Sequence, residues 1–216
     1  AGNLTGNLDA QDNFGASLDV IGDLDGNGIS DFLIGATGSK SGGNETGAAW
    51  LLFMEEGGRV REFQKMGDGL GGFPKLLNNG DQFGIAVTAI GDVNADGVGD
   101  VAIGADGDGA NRGAIWILLL GENGLVEKAE KIDGEHEVFD GQLNAGDRFG
   151  TSMASLQDFD GDGIRELIVG APGDDGAGAS AGTIWMLYLQ PDGNVRQALD
   201  LGSNSGGIAS LFDGGD

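Results

Sequence analysis

Four features recur in the same order three times along this 216-residue chain. A Phe-Gly pair stands at Phe14-Gly15, Phe83-Gly84 and Phe149-Gly150, at spacings of 69 and 66 residues. Each pair is followed by an acidic cluster: DLDGNGISD at 23–31, DVNADGVGD at 92–100, DFDGDGIRE at 158–166. An apolar run ending in Gly-Ala comes next (DFLIGAT, DVAIGAD, ELIVGAP). Beyond a variable glycine-rich loop stand GAAWLLF, GAIWILL and GTIWMLY. A repeat of this period means one supersecondary unit that buries its apolar faces only by stacking on its neighbours. The units run over 1–66, 67–132 and 133–201. The tail 202–216 resembles the stretch 66–81 that precedes Phe83, so it reads as the lead-in of a following unit.

Each unit reads as four short strands. In the first unit these are 14–21, 31–36, 48–54 and 59–66. In the second they are 83–90, 100–105, 114–120 and 125–132, and in the third 149–156, 166–171, 183–189 and 194–201. Short apolar runs between glycine turns define an all-β repeat. A helical solenoid needs runs of ten or more residues with a 3.6 period. The one stretch that imitates it, MEEGGRVREFQKM, is broken at Gly57-Gly58 and reads as a hairpin turn over Glu55–Gly58. Glycine contributes 45 residues and proline 3, without collagen's strict period, which suits a protein rich in tight turns. Trp50, Trp116 and Trp185 fall at one place in the third strand of every unit, where a shared structural role as core residues is expected. Phe14, Phe83 and Phe149 are read the same way.

The acidic clusters place oxygen-bearing side chains at positions 1, 3, 5 and 9. The first supplies Asp23, Asp25, Asn27 and Asp31, the second Asp92, Asn94, Asp96 and Asp100, the third Asp158, Asp160, Asp162 and Glu166. Gly28, Gly97 or Gly163 follows position 5 and lets the chain turn around a cation. The carbonyl of position 7 (Ile29, Val98 or Ile164) adds a further oxygen. Six to eight hard oxygen ligands are what calcium takes. Magnesium, which keeps its waters in strict octahedral geometry, suits a wrapping loop less, and zinc wants nitrogen or sulfur, whereas the chain has one histidine and no cysteine. Three Ca2+ per chain are therefore expected. Ten carboxylates in three nine-residue loops would repel one another without cations. An EF-hand is excluded, because its twelfth position needs a glutamate between helices and here is Ile34, Ile103 or Val169 in an apolar run. The third loop alone has four carboxylates, so ligand charge ranks it at least level with the other two.

The order Phe-Gly, acidic loop, Gly-Ala-Pro resembles the FG-GAP repeat of the integrin alpha-subunit propeller and of many bacterial surface and secreted proteins. The matching residues are Phe14-Gly15 with Gly35-Ala36-Thr37, Phe83-Gly84 with Gly104-Ala105-Asp106, and Phe149-Gly150 with Gly170-Ala171-Pro172. Only the third has the full Gly-Ala-Pro. The resemblance implies three four-stranded antiparallel β-propeller blades, with the calcium loop joining the first two strands and binding through positions 1, 3, 5, 7 and 9. Glu166 departs from the usual aspartate, and its extra methylene reshapes the third loop. The resemblance also implies an extracellular or cell-surface module, bacterial in style, for adhesion, scaffolding or ligand binding. A carbohydrate-binding propeller or a non-catalytic part of a larger secreted enzyme is the alternative.

The formal charge of −24 repels phosphate backbones and anionic lipid heads, so neither nucleic acid nor membrane insertion is expected. No apolar run reaches membrane-spanning length. The sequence has no GxSxG elbow and no HExxH motif, and its one histidine, His136, lacks a repeated counterpart, so no enzyme is expected. Asn3-Leu4-Thr5 and Asn44-Glu45-Thr46 match a glycosylation pattern and are read as coincidence. The variable loops 37–47, 106–112 and 172–182 are the expected partner contacts. Closed propellers have four to eight blades. Three blades call for more, supplied either by a second copy in a homodimeric six-bladed ring or by further blades of the same parent protein. A protein or glycan ligand is the further expected partner.

Overall fold

The structure is a computed structural model that describes residues 8–41, 45–139, 141–176 and 181–202. Both glycosylation patterns lie partly or wholly outside these residues, as does the lead-in from 203 onward. The described chain is all-β, in three four-stranded antiparallel sheets, one per repeat. The first holds β1 (Phe14–Gly22), β2 (Asp31–Ala36), β3 (Ala48–Glu55) and β4 (Arg59–Gly67). The second holds β5 (Val87–Gly91), β6 (Asp100–Ala105), β7 (Ala114–Leu120) and β8 (Val126–Asp133). The third holds β9 (Ser152–Ser155), β10 (Leu167–Ala171), β11 (Thr183–Leu189) and β12 (Val195–Asp200). Strands follow one another in sequence order across each sheet, as tight hairpins dictate.

Burial explains the composition of each strand. The third strands β3 and β7 are buried on both faces and read as continuous apolar runs. The outer strands β4, β8 and β12 carry Arg59, Arg61, Glu62, Glu127, Lys128 and Arg196, and charge on an edge strand discourages pairing with another sheet. The first strands converge: β1 packs on β5 and β5 on β9. Asp19 stitches two of them, accepting from the Thr88 hydroxyl and the Ala89 N–H at 3.0 Å each.

Two apolar cores lie between blades. Leu33, Leu51 and Phe53 of the first sheet meet Val101, Ile103, Trp116 and Leu118 of the second. Ile115, Ile117 and Leu119, on the other face of the second sheet, meet Val169, Trp185 and Leu187 of the third. The three tryptophans are 1–2% exposed, as a core role requires. Residues from the segments before each Phe-Gly wedge in beside two of them. Phe73 packs between Phe83 and Trp116, with ring centroids at 5.0 and 4.9 Å, and Phe139 packs between Phe149 and Trp185 at 5.2 and 5.1 Å.

One expectation is corrected. Strands starting at 83 and 149 were expected, but the ladders start at Val87 and Ser152. Gln82 and Arg148 (φ 59° and 57°) and Gly84 and Gly150 (φ 94° and 91°) are left-handed and interrupt the extended backbone there, whereas in the first blade the same turn (Gly15, φ 91°) is absorbed by a bulge between Phe14 and Ser17 and the ladder starts at Phe14. Phe83 and Phe149 instead bridge in parallel to Gly47 and Gly113 of the preceding blade. The Phe83 N–H donates to the Thr46 carbonyl and the Phe149 N–H to the Arg112 carbonyl, each at 2.9 Å. The Phe-Gly pair is thus a plug that docks one blade on the one before it.

A second inter-blade device replaces the proline of Gly-Ala-Pro. Asp106 is fully buried and accepts from Arg148 Nη2 at 2.6 Å and from the Thr151 hydroxyl at 3.1 Å. Arg148 is half exposed, which discounts the pair's worth. Asp106→Asn is expected to cost about 1–2 kcal/mol, less than the loss of a fully buried pair. Urea melts measure it, and a change within about 0.5 kcal/mol would refute the assignment.

Candidate metal centres

Each acidic cluster forms the loop between the first and second strands of its blade, as expected. Position 1 is held by two loop amides. Asp23 accepts from Asn27 N–H (2.9 Å) and Gly28 N–H (2.7 Å), Asp92 from Asp96 (3.0 Å) and Gly97 (2.8 Å), and Asp158 from Gly161 (2.6 Å) and Gly163 (2.9 Å). Gly28, Gly97 and Gly163 all have φ near +90°, so the turn needs glycine there.

Position 9 opens or immediately precedes the second strand and is buried: Asp31, Asp100 and Glu166 are at most 2% exposed. Asp31 accepts from Leu24 N–H at 2.9 Å and Met54 N–H at 2.8 Å. Asp100 does the same with Val93 at 2.8 Å and Leu120 at 2.9 Å, so each carboxylate ties the loop to the end of the third strand. Glu166 accepts from Phe159 N–H at 2.7 Å. Burial pushes the Asp31 and Asp100 carboxyls up, Asp100 to about 6. The amides resist the rise, and the position 1 carboxylate together with Asp25 or Asp96 adds to it.

Carboxylate oxygens of Asp23, Asp25 and Asp31 come within 4.8 Å of one another, as do those of Asp158, Asp160 and Glu166. Positions 1, 3 and 9 therefore converge in the first and third loops. The second has the neutral Asn94 at position 3. Position 5 is turned to the backbone: Asn27, Asp96 and Asp162 accept from the N–H of Ile29, Val98 and Ile164 at 2.8, 2.8 and 2.9 Å. The donor set consists of hard oxygens, three of them on one loop at a spacing one large divalent cation spans, and it fits calcium.

Sequence reading missed two groups around these loops. Val60, Val126 and Val195 pair with the ends of β3, β7 and β11, so Arg61, Glu127 and Arg196 share one place in the three blades. Arg61 pairs with Asp25, and Arg196 with Asp160 and, at 3.2 Å, Asp162. The second loop has Glu127 in that place. Asp12, Asp81 and Asp147, two residues before each Phe, are also buried. They accept from Asp9, Asn78 and Asn144 N–H at 2.9, 2.7 and 2.6 Å and shape the turn that presents the plug. An aspartate at −2 from every Phe-Gly was the available signal.

Three stacked four-stranded sheets, each with an acidic loop between its first two strands, the second and third docked by a Phe-Gly plug onto the sheet before, define a β-propeller repeat protein. The family model described as FG-GAP repeat matches residues 14–52, 83–118 and 149–187, and the chain belongs to that family. It is similar to integrin alpha-PS2 of Drosophila melanogaster, 32% identical over 202 residues covering 89% of this chain and 13% of that protein. It is also similar to integrin alpha-5 of Xenopus laevis (34% over 177 residues, 75% of this chain, 15% of that one) and integrin alpha-IIb of Homo sapiens (34% over 174 residues, 74% and 15%). The chain thus spans about a seventh of the length of these relatives.

Proposed function

We propose that this chain is a calcium-stabilised propeller module for adhesion, scaffolding or protein–protein interaction, outside the cell or on its surface. The observation that carries the reading is the convergence of positions 1, 3 and 9 in the first and third loops, the acidic loop standing between the same two strands in all three blades. Membership of a family with integrin alpha relatives supports an interaction role over catalysis. The module offers partners its inter-strand loops, which vary between blades while the sheets do not. A carbohydrate ligand is the second reading. Burial of all three tryptophans removes them as sugar-stacking platforms, so a glycan would have to be bound by the loops. A glycan array on the calcium-loaded chain separates the two, since chelator-sensitive glycan signals would favour the second.

Isothermal titration is expected to give three calcium ions per chain and much weaker binding of magnesium. Arg61 and Arg196 compete with the cation for position 3, so the ranking by charge alone, which favoured the third loop, gives way to one led by the second. Arg61→Gln and Arg196→Gln should each tighten their own loop by about two- to fivefold, the range an exposed ion pair is worth. Glu127→Gln should loosen the second loop. Unchanged affinities in all three variants would sink the ranking, and a stoichiometry of zero would sink the calcium reading itself.

A further inference from the structure

We propose that the third blade carries a docking cleft for the Phe14-Gly15 turn of a second copy of this chain, and that two copies close a six-bladed ring through two such contacts. The inference rests on the blade architecture and not on the metal reading. Its basis is a contact made twice inside the chain and left open a third time. Where the second blade docks on the first, a Cβ on Gly47 would overlap the Phe83 carbonyl, and one on Gly35 the Gly84 carbonyl. Where the third docks on the second, Gly113 and Gly104 meet Phe149 and Gly150 in the same way. Gly182 and Gly170 are the corresponding residues of the third blade. Among the described residues no Phe-Gly stands against them: a Cβ on Gly182 would reach only Pro172, and one on Gly170 only Ser152.

Among the described residues this place is an open cleft of 410 Å³ lined by Ser152, Gly170, Pro172, Gly182 and Ile184. Its polar fittings are in place. In the first blade the Ser17 hydroxyl donates to the Gly84 carbonyl at 2.8 Å, and Ser152 is the corresponding residue of the third. The carbonyl of Ala181 corresponds to those of Thr46 and Arg112, which receive the Phe N–H. The sheet face beyond is unfinished too. Ile184 is 36% exposed, whereas its counterparts Ala49 and Ile115 are fully buried under the next blade.

The first blade presents the complement. Asn13 (φ 53°) and Gly15 (φ 91°) repeat the left-handed conformations of Gln82-Phe83-Gly84 and Arg148-Phe149-Gly150, so Phe14-Gly15 is already shaped as a plug. On β1, Leu18 is 67% exposed, while its counterpart Val87 is 7% exposed because the first blade covers it. Plug and cleft lie at opposite ends of the stack. Two copies joined head to tail about a two-fold axis satisfy both ends of both chains at once.

Light scattering after size exclusion, in millimolar calcium near physiological salt, is expected to give twice the chain mass of 21.9 kDa. Gly170→Ala leaves the isolated blade room, since only the Ser152 hydroxyl must rotate, but it collides with an incoming Gly15 carbonyl. Leu18→Asp puts a charge on the other face, at a side chain too exposed to affect folding. Both variants should run at 21.9 kDa with an unchanged circular dichroism spectrum. A wild-type mass of 21.9 kDa would overturn the proposal and leave the cleft to residues 203–216 or to the next unit of a longer polypeptide. Masses beyond two copies would overturn the closed ring, and variants that remain dimeric would overturn the assigned contact. Calcium titration is read separately, so a calcium-binding monomer sinks this proposal alone.

Discussion

Chelation of calcium is expected to lower the melting temperature by roughly 15–30 °C. An ion bound only by the folded state stabilises it by about 2.7 kcal/mol at one hundred times its dissociation constant. Three such ions contribute about 8 kcal/mol, and a domain of this size moves about 2–4 °C per kcal/mol. The effect is large because each loop joins the first two strands of its blade, and because position 9 ties the loop in two of the blades to the end of the third strand. The charge of −24 works in the same direction, since it repels itself when the ions leave. Differential scanning calorimetry with excess chelator and with excess calcium measures the shift, and coincident melts would refute a structural role for the ion.

The chelated protein should also respond to pH with a sign opposite to the calcium-loaded one. The Asp100 carboxyl titrates near 3.8 in the unfolded chain and is pushed up by burial to about 6 in the fold. Between those values the folded state holds the extra proton, so stability is full below about pH 4 and is lost as pH rises through 6. Asp31, Asp81 and Asp147 are raised by burial too and add to the same slope. Calcium binds the deprotonated carboxylates and gains as pH rises over the same window. Melting at pH 5 and pH 7 should therefore rank the two pH values oppositely with and without calcium.

The parts of the fold that depend on short-range pattern were legible in the sequence. The Glu55–Gly58 turn closes a hairpin as its glycines require, and the Asp-rich loops fall between the first and second strands of each blade. What depends on long-range register was not. Arg61 and Arg196 reach acidic residues 36 positions away because β4 and β12 fold back beside the loops, and a bulge at the end of each hairpin sets which side chain arrives there. No local pattern marks that place. Phe83 and Phe149 were mistaken for the start of strands because an apolar residue beside a strand looks like part of it. The left-handed residues around them show only in the backbone. Asp106 looked like a lost proline, whereas its counter-ion stands 42 residues further on.

Gly104→Ala is expected to be among the most damaging single substitutions in the chain, at about 3–5 kcal/mol. Gly104 is not left-handed, so alanine carries no backbone penalty there and the effect is steric. The added Cβ would overlap the Gly150 carbonyl oxygen and crowd Ile85. The carbonyl cannot retreat. Gly150 is fixed by its own N–H to the Gly170 carbonyl at 3.1 Å, and the preceding Phe149 is fully buried against Phe139. Relief requires the third blade to lift from the second, which opens the core that Ile115, Ile117, Trp185 and Leu187 share. Overpacking of an ordinary core site costs about 1–3 kcal/mol because side chains can rearrange, but here the obstacle is backbone. Gly97→Ala provides the contrast, with φ at +93° and nothing within 4 Å, so only strain of about 1–2 kcal/mol is expected. Urea melts of both variants in excess calcium decide the matter. Equal losses, or a smaller loss at Gly104, would show that the blades are not held together by the Phe-Gly plug.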